Sequence, residues 1–468
     1  MIPNRPQRSG QVSAKVRQRS EDVEPLLPRA VADTFSLRNP ARVIAFGAGL
    51  CLVLMRYGAL HQIMAFLAGV NLRLLYLFGI PALVGVFLSG GVQRTFRGRP
   101  AYYWTAYLTW MGVAIPFSSW KGGSAGQVFA YARTEFIMLL AIAGLTITWR
   151  ECKLTMHVIA WAAVISVAAA RLFEGETYKA RLGLEFGTMA NPNDYAAHLL
   201  MVLPFLLWVV LSSRRLVVRL GAFLVLGAGM WMILRTASRG GALALALAIL
   251  FFLWRGTAPQ RAALLVFVPL MLTGLAVTMP GDVLQRLREF STEAPASTDA
   301  ANSSSDDDAV SAEAIGSAQG RQYALQKSLE YTITHPVFGV GPGQFATFEG
   351  GQSKEEGKHG AWRGTHNTFT QVSSECGIPA LFFFVGGLIS TYLLLNRAYL
   401  KARQRADCKD IQIAAFCILM GMVGFCTAAT FLNFAYMFYQ PALGGLAIAF
   451  DRAAELEFEV RSRAGQAS

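Results

Sequence analysis

The residues best suited to chemistry are one histidine and several arginines in the polar connections of a largely apolar chain. His366, followed by Asn367, closes the longest polar stretch, and Arg181, Arg239 and Arg321 lie in other polar connections. A neutral imidazole near pH 7 can take a proton from a hydroxyl group. An arginine forms paired hydrogen bonds with a phosphate and keeps its charge. These residue types predict a site where a base acts beside a bound phosphate or diphosphate.

The elements that position these residues are membrane helices. The chain has 468 residues, of which 54% are hydrophobic and only 15% are charged, whereas a soluble protein carries about 25% charged residues. Its apolar runs approach the roughly 20 residues that cross a bilayer, and backbone pairing within each run requires a helix. The sequence therefore predicts an all-α integral membrane protein with about twelve transmembrane helices. The twelve apolar segments are 43–63, 74–91, 101–118, 134–149, 155–172, 195–211, 216–235, 240–254, 262–280, 377–395, 411–431 and 432–450.

The net charge of +13 is distributed as an orientation signal. Lysine and arginine collect in alternate connections, such as 94–99 and 397–409, which is the pattern of cytoplasmic loops and does not favour a nucleic-acid partner. Both termini are thus predicted to be cytoplasmic, and one large loop between helices 9 and 10 is predicted to be periplasmic. The predicted divisions are a tail at 1–42, helices 1–9 within 43–280, the loop at 281–376, helices 10–12 within 377–450, and a tail at 451–468.

The large loop divides into two parts. Ser291 to Ser317 is rich in Ser, Ala, Asp and Glu, so we expect a mobile segment whose acidic run is solvated rather than metal-binding. Arg321 to Tyr331 has the spacing of an amphipathic helix. The His335-Pro336 pair should end that helix, because the residue before proline is pushed out of the α region. The glycines that follow permit a tight loop.

Each candidate residue also has a purely structural interpretation. An outward arginine can reach lipid phosphates, and His366 can cap a helix. The other five histidines are predicted to pack, to support a turn or to be solvated. The six cysteines show no paired spacing, and neither a metal cluster nor a nucleotide-binding loop is apparent, so no cofactor is predicted.

Several of these pieces, taken in order, resemble the superfamily of O-antigen ligases and O-antigen polymerases. The resemblance covers most of 100–450. Its one departure is Ala380, where the ligase pattern often has a second glycine. The pieces are Arg181 with Asn191-Pro192-Asn193; Ser238-Arg239-Gly240; Gly320-Arg321; His335-Pro336-Val337-Phe338-Gly339-Val340-Gly341; and His366-Asn367 with Glu375 and Gly377.

The resemblance implies transfer of a glycan from a polyprenyl diphosphate carrier to an acceptor hydroxyl, on the periplasmic face of a bacterial inner membrane. It implies inversion at the anomeric carbon without a metal. His366 would activate the acceptor, and Arg239 and Arg321 would hold the diphosphate. The predicted substrate-binding residues are Arg181, Arg235, Asn191, Asn193, Asn367 and Glu375.

The acceptor stays open at this level. Lipid A-core would make the protein an O-antigen ligase of lipopolysaccharide biosynthesis, and a growing glycan would make it a polymerase. Protein serine or threonine ranks third. The alternative from a different class is a transporter or flippase, which would favour charged residues within spans and internal repeats. No repeat is evident, and Arg56 is the clearest charge inside a span.

Overall fold

The chain folds into α-helices that pack side by side around a shared apolar core. A computed structural model describes residues 40–174, 181–262, 264–266, 269, 273, 306–355 and 364–466. Across these ranges, the β-structure is one isolated bridge between Glu174 and Leu184. The helices are α1 Pro40–Tyr57, α2 Leu60–Ala68, α3 Leu74–Leu88, α4 Gly91–Thr95, α5 Arg99–Ala114, α6 Lys121–Ala130, α7 Ile137–Leu145, α8 Trp149–Leu172, α9 Pro192–Ser212, α10 Leu216–Arg235, α11 Arg239–Arg255, α12 Asp306–Thr334, α13 Phe345–Glu355, α14 Thr368–Arg403, α15 Lys409–Ala429 and α16 Tyr439–Gln466.

The all-helical membrane architecture is confirmed. Within the described residues, six helices are long and apolar enough to cross a membrane, or seven if the bent pair α1 and α2 forms one span. The predicted total of twelve is not confirmed, and most of the segment 262–280 lies outside the described residues. The six are Lys121–Leu145, Trp149–Leu172, Pro192–Ser212, Leu216–Arg235, Thr368–Arg403 and Ala406–Ala429.

Helix α9 is the centre of the bundle. Of its most apolar window, 78% is buried against protein, compared with 33% for α10. A helix that is apolar all round and buried inside the protein must be surrounded by other helices, and α9 packs against α8, α10 and α15. Helix α10 exposes several large apolar side chains and therefore lies at the lipid-facing edge.

Two predicted boundaries need correction. The apolar run at 432–450 was predicted to be helical throughout, but α15 ends at Ala429 and α16 begins at Tyr439. Residues 430–438, called the connector below, form turns between them. In the large loop, the mobile stretch was predicted to reach Ser317, but α12 already begins at Asp306. The predicted helix at Arg321 to Tyr331 is confirmed within α12, which ends at Thr334, just before His335-Pro336.

The charge inside the first span has a structural partner. Arg56 forms an ion pair with Glu135, and its guanidinium lies 4.5 Å from the ring centroid of Phe438. Glu135 belongs to a π-helical turn, Tyr131–Glu135, between α6 and α7. An ion pair plus an aromatic face compensates a charge removed from water. Arg56 thus ties α1 to the connector.

Candidate functional site

Helix α14 begins in a strained turn that contains the candidate base. His366 has φ 51°, in the left-handed region, where a residue other than glycine costs roughly 1–2 kcal/mol. The next residue, Asn367, is the N-cap of α14, and its side chain accepts from the backbone N–H groups of Phe369 and Thr370. This cap satisfies two of the four free donors at the helix start. The histidine is therefore fixed directly before the first turn of α14.

The connector holds this turn through Asn433. The Oδ1 atom of Asn433 accepts from the His366 backbone N–H at 2.6 Å and from the Thr365 hydroxyl at 2.8 Å. A Cβ atom on Gly364 would lie 2.3 Å from the Asn433 Nδ2 atom, so only glycine allows this approach. At the first residue of α14, the Thr368 hydroxyl donates to the Leu432 carbonyl at 2.8 Å. The strained conformation of His366 is thus determined by a separate part of the chain.

Helix α14 is broken at Gly377, which has φ 84°. Pro379 has no N–H, so the Glu375 carbonyl loses its helical donor, and the Gly341 N–H supplies one at 2.9 Å. The Ile378 N–H turns away to donate to the Pro336 carbonyl at 2.8 Å. The loop 335–345 therefore repairs the break in α14 with its own backbone.

The same loop supplies further bonds that lock the break. The Val340 N–H donates to the Ser374 carbonyl at 2.8 Å. Trp110, from α5, donates through Nε1 to the Cys376 carbonyl at 3.0 Å. Gly339 approaches so closely that an added Cβ would lie 2.3 Å from the Glu375 carbonyl carbon. The glycine pattern of this loop thus has a packing function.

Glu375 is buried at this junction, with 4% of its surface exposed. Its Oε2 accepts from the Gly343 N–H at 2.9 Å and from the Tyr436 hydroxyl at 2.5 Å. Its Oε1 accepts from the Phe345 N–H at 3.3 Å. Desolvation raises the pKa of Tyr436 well above its ordinary value, so this hydroxyl stays a neutral donor. Glu375 therefore joins α14, the loop 335–345 and the connector.

A second group of predicted residues gathers where α9 begins and α10 ends. The Arg181 guanidinium donates to the Thr236 carbonyl at 3.0 Å and to Asn193 Oδ1 at 3.2 Å. Asn191 caps α9 by accepting from the Asn193 N–H. Arg235 forms an ion pair with Glu174 at 2.7 Å. The structure brings Arg181, Arg235 and both asparagines together, and each has contacts that fix the local backbone.

Arg239 is the first residue of α11 and is half-buried. Ser238 caps this helix by accepting from the Gly241 N–H at 3.1 Å. The neighbouring Gly240 packs against the connector, because an added Cβ would lie 2.8 Å from the Phe431 ring. A helix start favours negative charge through its free N–H groups and its dipole. Arg239 therefore adds a full positive charge at an end that already attracts anions.

The connector links the two groups. Phe431 lies against Gly240, beside Arg239, and Asn433, two residues later, holds the turn of His366. The starts of α11 and α14 are therefore neighbours of one short segment. This places the candidate anion-binding arginine and the candidate base at the same end of the bundle.

Arg321 lies toward that end as well. The Thr332 and Ser373 hydroxyls are 2.8 Å apart, and the next contact joins Pro336 to Ile378, so α12 and α14 run in the same direction there. At 1.5 Å per helical residue, Arg321 lies roughly 16 Å from Thr332 toward the start of α12. His366 lies roughly 10 Å from Ser373 in the same direction, toward the start of α14. Arg321 shares a helix face with the buried residues Ala324 and Ser328. That face packs against α14.

The other histidines in the described ranges have hydrogen-bond partners within the protein. His198 is buried between the Ser166 hydroxyl and the Tyr439 hydroxyl, each 2.9 Å from a ring nitrogen. His61 and His157 bond to backbone carbonyls one to two turns away, and His335 bonds to the neighbouring Thr334. His359 lies outside the described residues. Over these same ranges, no group of three or more His, Cys, Asp or Glu side chains is arranged to hold a metal ion.

The connector residues were not predicted to belong to the site. Asn433 and Tyr436 lie in the apolar segment 432–450, which directly follows the segment 411–431. The one local signal was an asparagine within this apolar sequence. Trp110 was also missed, because its partner is 266 residues away. In contrast, the order of Gly377 and Pro379 could have indicated the break in α14.

Comparison with known proteins supports the resemblance. Residues 223–385 match the model of a family described as O-antigen ligase. The match spans about a third of the chain and includes Arg235, Arg239, Arg321, His366 and Glu375. No curated protein matches the chain. The match confirms the resemblance to the O-antigen ligase superfamily.

Proposed function

We propose that this multi-pass membrane protein, a member of the O-antigen ligase superfamily, moves a glycan from a polyprenyl diphosphate carrier to an acceptor hydroxyl. The family match supports glycosyl transfer in glycan assembly. The structural feature that best supports this transfer reaction is the connector. It holds the turn of His366 through Asn433 and packs beside Arg239 through Phe431. A base and an anion-binding arginine are thereby fixed by one segment.

In the proposed reaction, the acceptor oxygen attacks the anomeric carbon of the donor sugar while the bond from that carbon to the diphosphate oxygen breaks. The imidazole of His366 takes the hydroxyl proton. The bonding electrons leave with the polyprenyl diphosphate. Arg239 and Arg321 stabilise the negative charge that develops there, which is the contribution expected to matter most. Attack opposite the leaving group inverts the anomeric configuration.

The remaining predicted substrate-binding residues receive positioning roles in this proposal. Asn367 fixes the start of α14, and Glu375 fixes its break. Asn191 caps α9, and Asn193 holds Arg181. Arg181 reaches the backbone of the turn that precedes Arg239, so it supports Arg239 and adds positive charge nearby. Arg235 supports the same turn through its ion pair with Glu174.

The acceptor distinguishes an O-antigen ligase from a polymerase. We propose ligation to lipid A-core, since the matching family is described as O-antigen ligase, at the periplasmic face of the inner membrane. Full-length protein in liposomes would receive a polyprenyl-diphosphate-linked glycan in the presence of a chelator, with lipid A-core or the same lipid-linked glycan as acceptor. Product on lipid A-core alone supports a ligase, and chain extension indicates a polymerase. Transfer that requires added metal would contradict the metal-independent mechanism.

A further inference from the structure

A basic cavity lies at the opposite end of the bundle from His366. It has a volume of about 480 Å³ and lies between the end of α4, the start of α5, the second half of α14 and residues 448–452 of α16. Arg397, on its wall, is 20 residues beyond Gly377, so it lies roughly 30 Å along α14 from the break. That length is about the thickness of a bilayer's hydrocarbon core. The cavity therefore lies at the level of the other membrane interface.

The cavity is strongly basic. Its wall carries one carboxylate, Asp451, so it has four positive charges in excess. That carboxylate is already used, because both of its oxygens lie 3.0 Å from Arg397. The positive residues are Arg94, Arg97, Arg99, Arg397 and Arg452.

Two of these arginines are buried and form no ion pair with a carboxylate of the described residues. Arg94 is 4% exposed, and its acceptors among the described residues are the neutral oxygens of Gly144 and Ser89. Arg452 donates to the carbonyls of Arg94, Ala143 and Thr146. Burial lowers the pKa of Arg94 to about 10 and that of Arg452 to about 9, so both stay charged at neutral pH. The nearby Glu151 is paired with Arg42 at 2.6 Å.

Donors remain unused at this cavity. The Nε–H of Arg452 is buried without an acceptor among the described residues. Arg97 and Arg99 are exposed. Neither of them forms an ion pair with another described residue. Buried positive charge beside free donors favours an anion that accepts several hydrogen bonds.

One wall of the cavity is apolar and faces lipid. Leu393, Leu394 and Ile448 line it, and Leu393 is 55% exposed on the outer surface of the bundle. A basic pocket between transmembrane helices with an apolar side wall has the chemistry of a phospholipid headgroup site. We propose that this cavity binds the phosphate group of an anionic ligand, with an anionic phospholipid as the source that the apolar wall favours.

The test uses full-length protein purified in detergent and titrated with short-chain phosphatidylglycerol, with bound lipid counted by native mass spectrometry. Arg97→Gln together with Arg99→Gln removes two exposed charges from the cavity without disturbing buried contacts. We expect this pair to weaken binding roughly thirtyfold, since one arginine near an anionic surface contributes about a fivefold factor. Zwitterionic phosphatidylcholine should bind weakly to wild type and variant alike.

The matched control is Arg214→Gln with Arg215→Gln. These two arginines are also exposed, lie at the same end of the bundle and do not line the cavity. Their loss should leave binding within about twofold if the cavity is the site. Competition by inorganic phosphate at concentrations similar to those of the lipid would assign a soluble phosphate as the source, and lack of competition would assign the lipid. Equal weakening by both pairs, or by neither, would overturn the proposal.

Discussion

The side-chain oxygen of Asn433 accepts the backbone N–H of His366 at 2.6 Å, although 67 residues separate them in sequence. The contact matters because His366 has a left-handed backbone conformation that it would not prefer alone. Strain of this kind persists where the surroundings determine the conformation. The candidate base is thus held by a residue from the segment that also packs beside Arg239.

Asn433→Ala should lower turnover more than stability. The variant removes the acceptor for both the His366 N–H and the Thr365 hydroxyl, so the histidine turn can relax. A displacement of about 1 Å at a reacting group can cost up to a hundredfold in rate. We expect kcat to fall by this order while KM for the donor changes little. Steady-state transfer rates and thermal unfolding would be measured together, and an unchanged kcat would argue against this positioning role.

Gly364→Ala tests the same contact from the other side. Its Cβ would lie 2.3 Å from Asn433 Nδ2 and should displace that side chain. The matched control is Gly351→Ala in α13, because nothing lies within 4 Å of the position of its Cβ. Transfer by the first variant should fall toward that of Asn433→Ala, and the control should keep wild-type activity. Equal activity in both glycine variants would show that the approach of Asn433 is unimportant.

Gly377→Ala should destabilise the protein strongly. The residue has φ 84°, and an added Cβ would lie 2.0 Å from the Val337 carbonyl oxygen. Left-handed strain and this clash together predict a loss of roughly 2–4 kcal/mol in the free energy of unfolding. Gly112→Ala in α5 is the control, since nothing lies within 4 Å of its Cβ position. Unfolding in detergent would compare the two, and similar transition temperatures would refute the account of the break.

Tyr436→Phe should loosen the junction at Glu375. The phenol donates to Glu375 Oε2 at 2.5 Å and accepts from the Gly343 N–H at 3.1 Å. Leaving a buried carboxylate with one donor fewer costs about 1–3 kcal/mol. Tyr102→Phe is the control, because Tyr102 is 59% exposed. The difference between the two unfolding free energies isolates this hydrogen bond, and no difference would mean that the junction tolerates its loss.

Arg239→Ala and Arg321→Ala should each reduce transfer by about a hundredfold, the effect of removing one group that stabilises charge in a transition state. Lysine at either position should restore little, because it lacks the paired donors of arginine. Arg171→Ala controls for general surface charge, since Arg171 is exposed at the end of α8. Full rescue by lysine would indicate a simple charge effect.

The sequence predicts the all-helical fold because long apolar runs leave few alternatives in a membrane, whereas the predicted number of twelve spans is not confirmed. By residue type, it also makes His366, Arg239 and Arg321 candidates for the site. It does not predict the connector, since Phe431 to Tyr439 is nearly all apolar and reads as part of a span. The turn there depends on contacts with α14 and α5, such as that of the Tyr107 hydroxyl with the Ala435 carbonyl at 3.3 Å. Contacts between such distant residues produce no periodic pattern in the sequence from which the turn could be predicted.

The proposed positioning roles are equally hidden in the sequence. Glu375 looks like a candidate for substrate binding until its oxygens are found to accept from Gly343, Phe345 and Tyr436. The glycines of the loop 335–345 read as flexibility, whereas Gly339 is required for close approach to α14. In both cases, the role depends on a contact between segments that are distant in sequence. Which residues of those segments meet is seen only in the folded structure.

The most direct test of the central claim compares wild type with His366→Ala in liposomes that contain a polyprenyl-diphosphate-linked glycan and lipid A-core. The variant should insert and unfold like wild type, because the hydrogen bond from this turn to Asn433 uses the backbone N–H of His366, which alanine keeps. We predict transfer by wild type and a rate at least about a hundredfold lower for the variant, the range expected for loss of a general base. Near-normal transfer by His366→Ala would contradict the account.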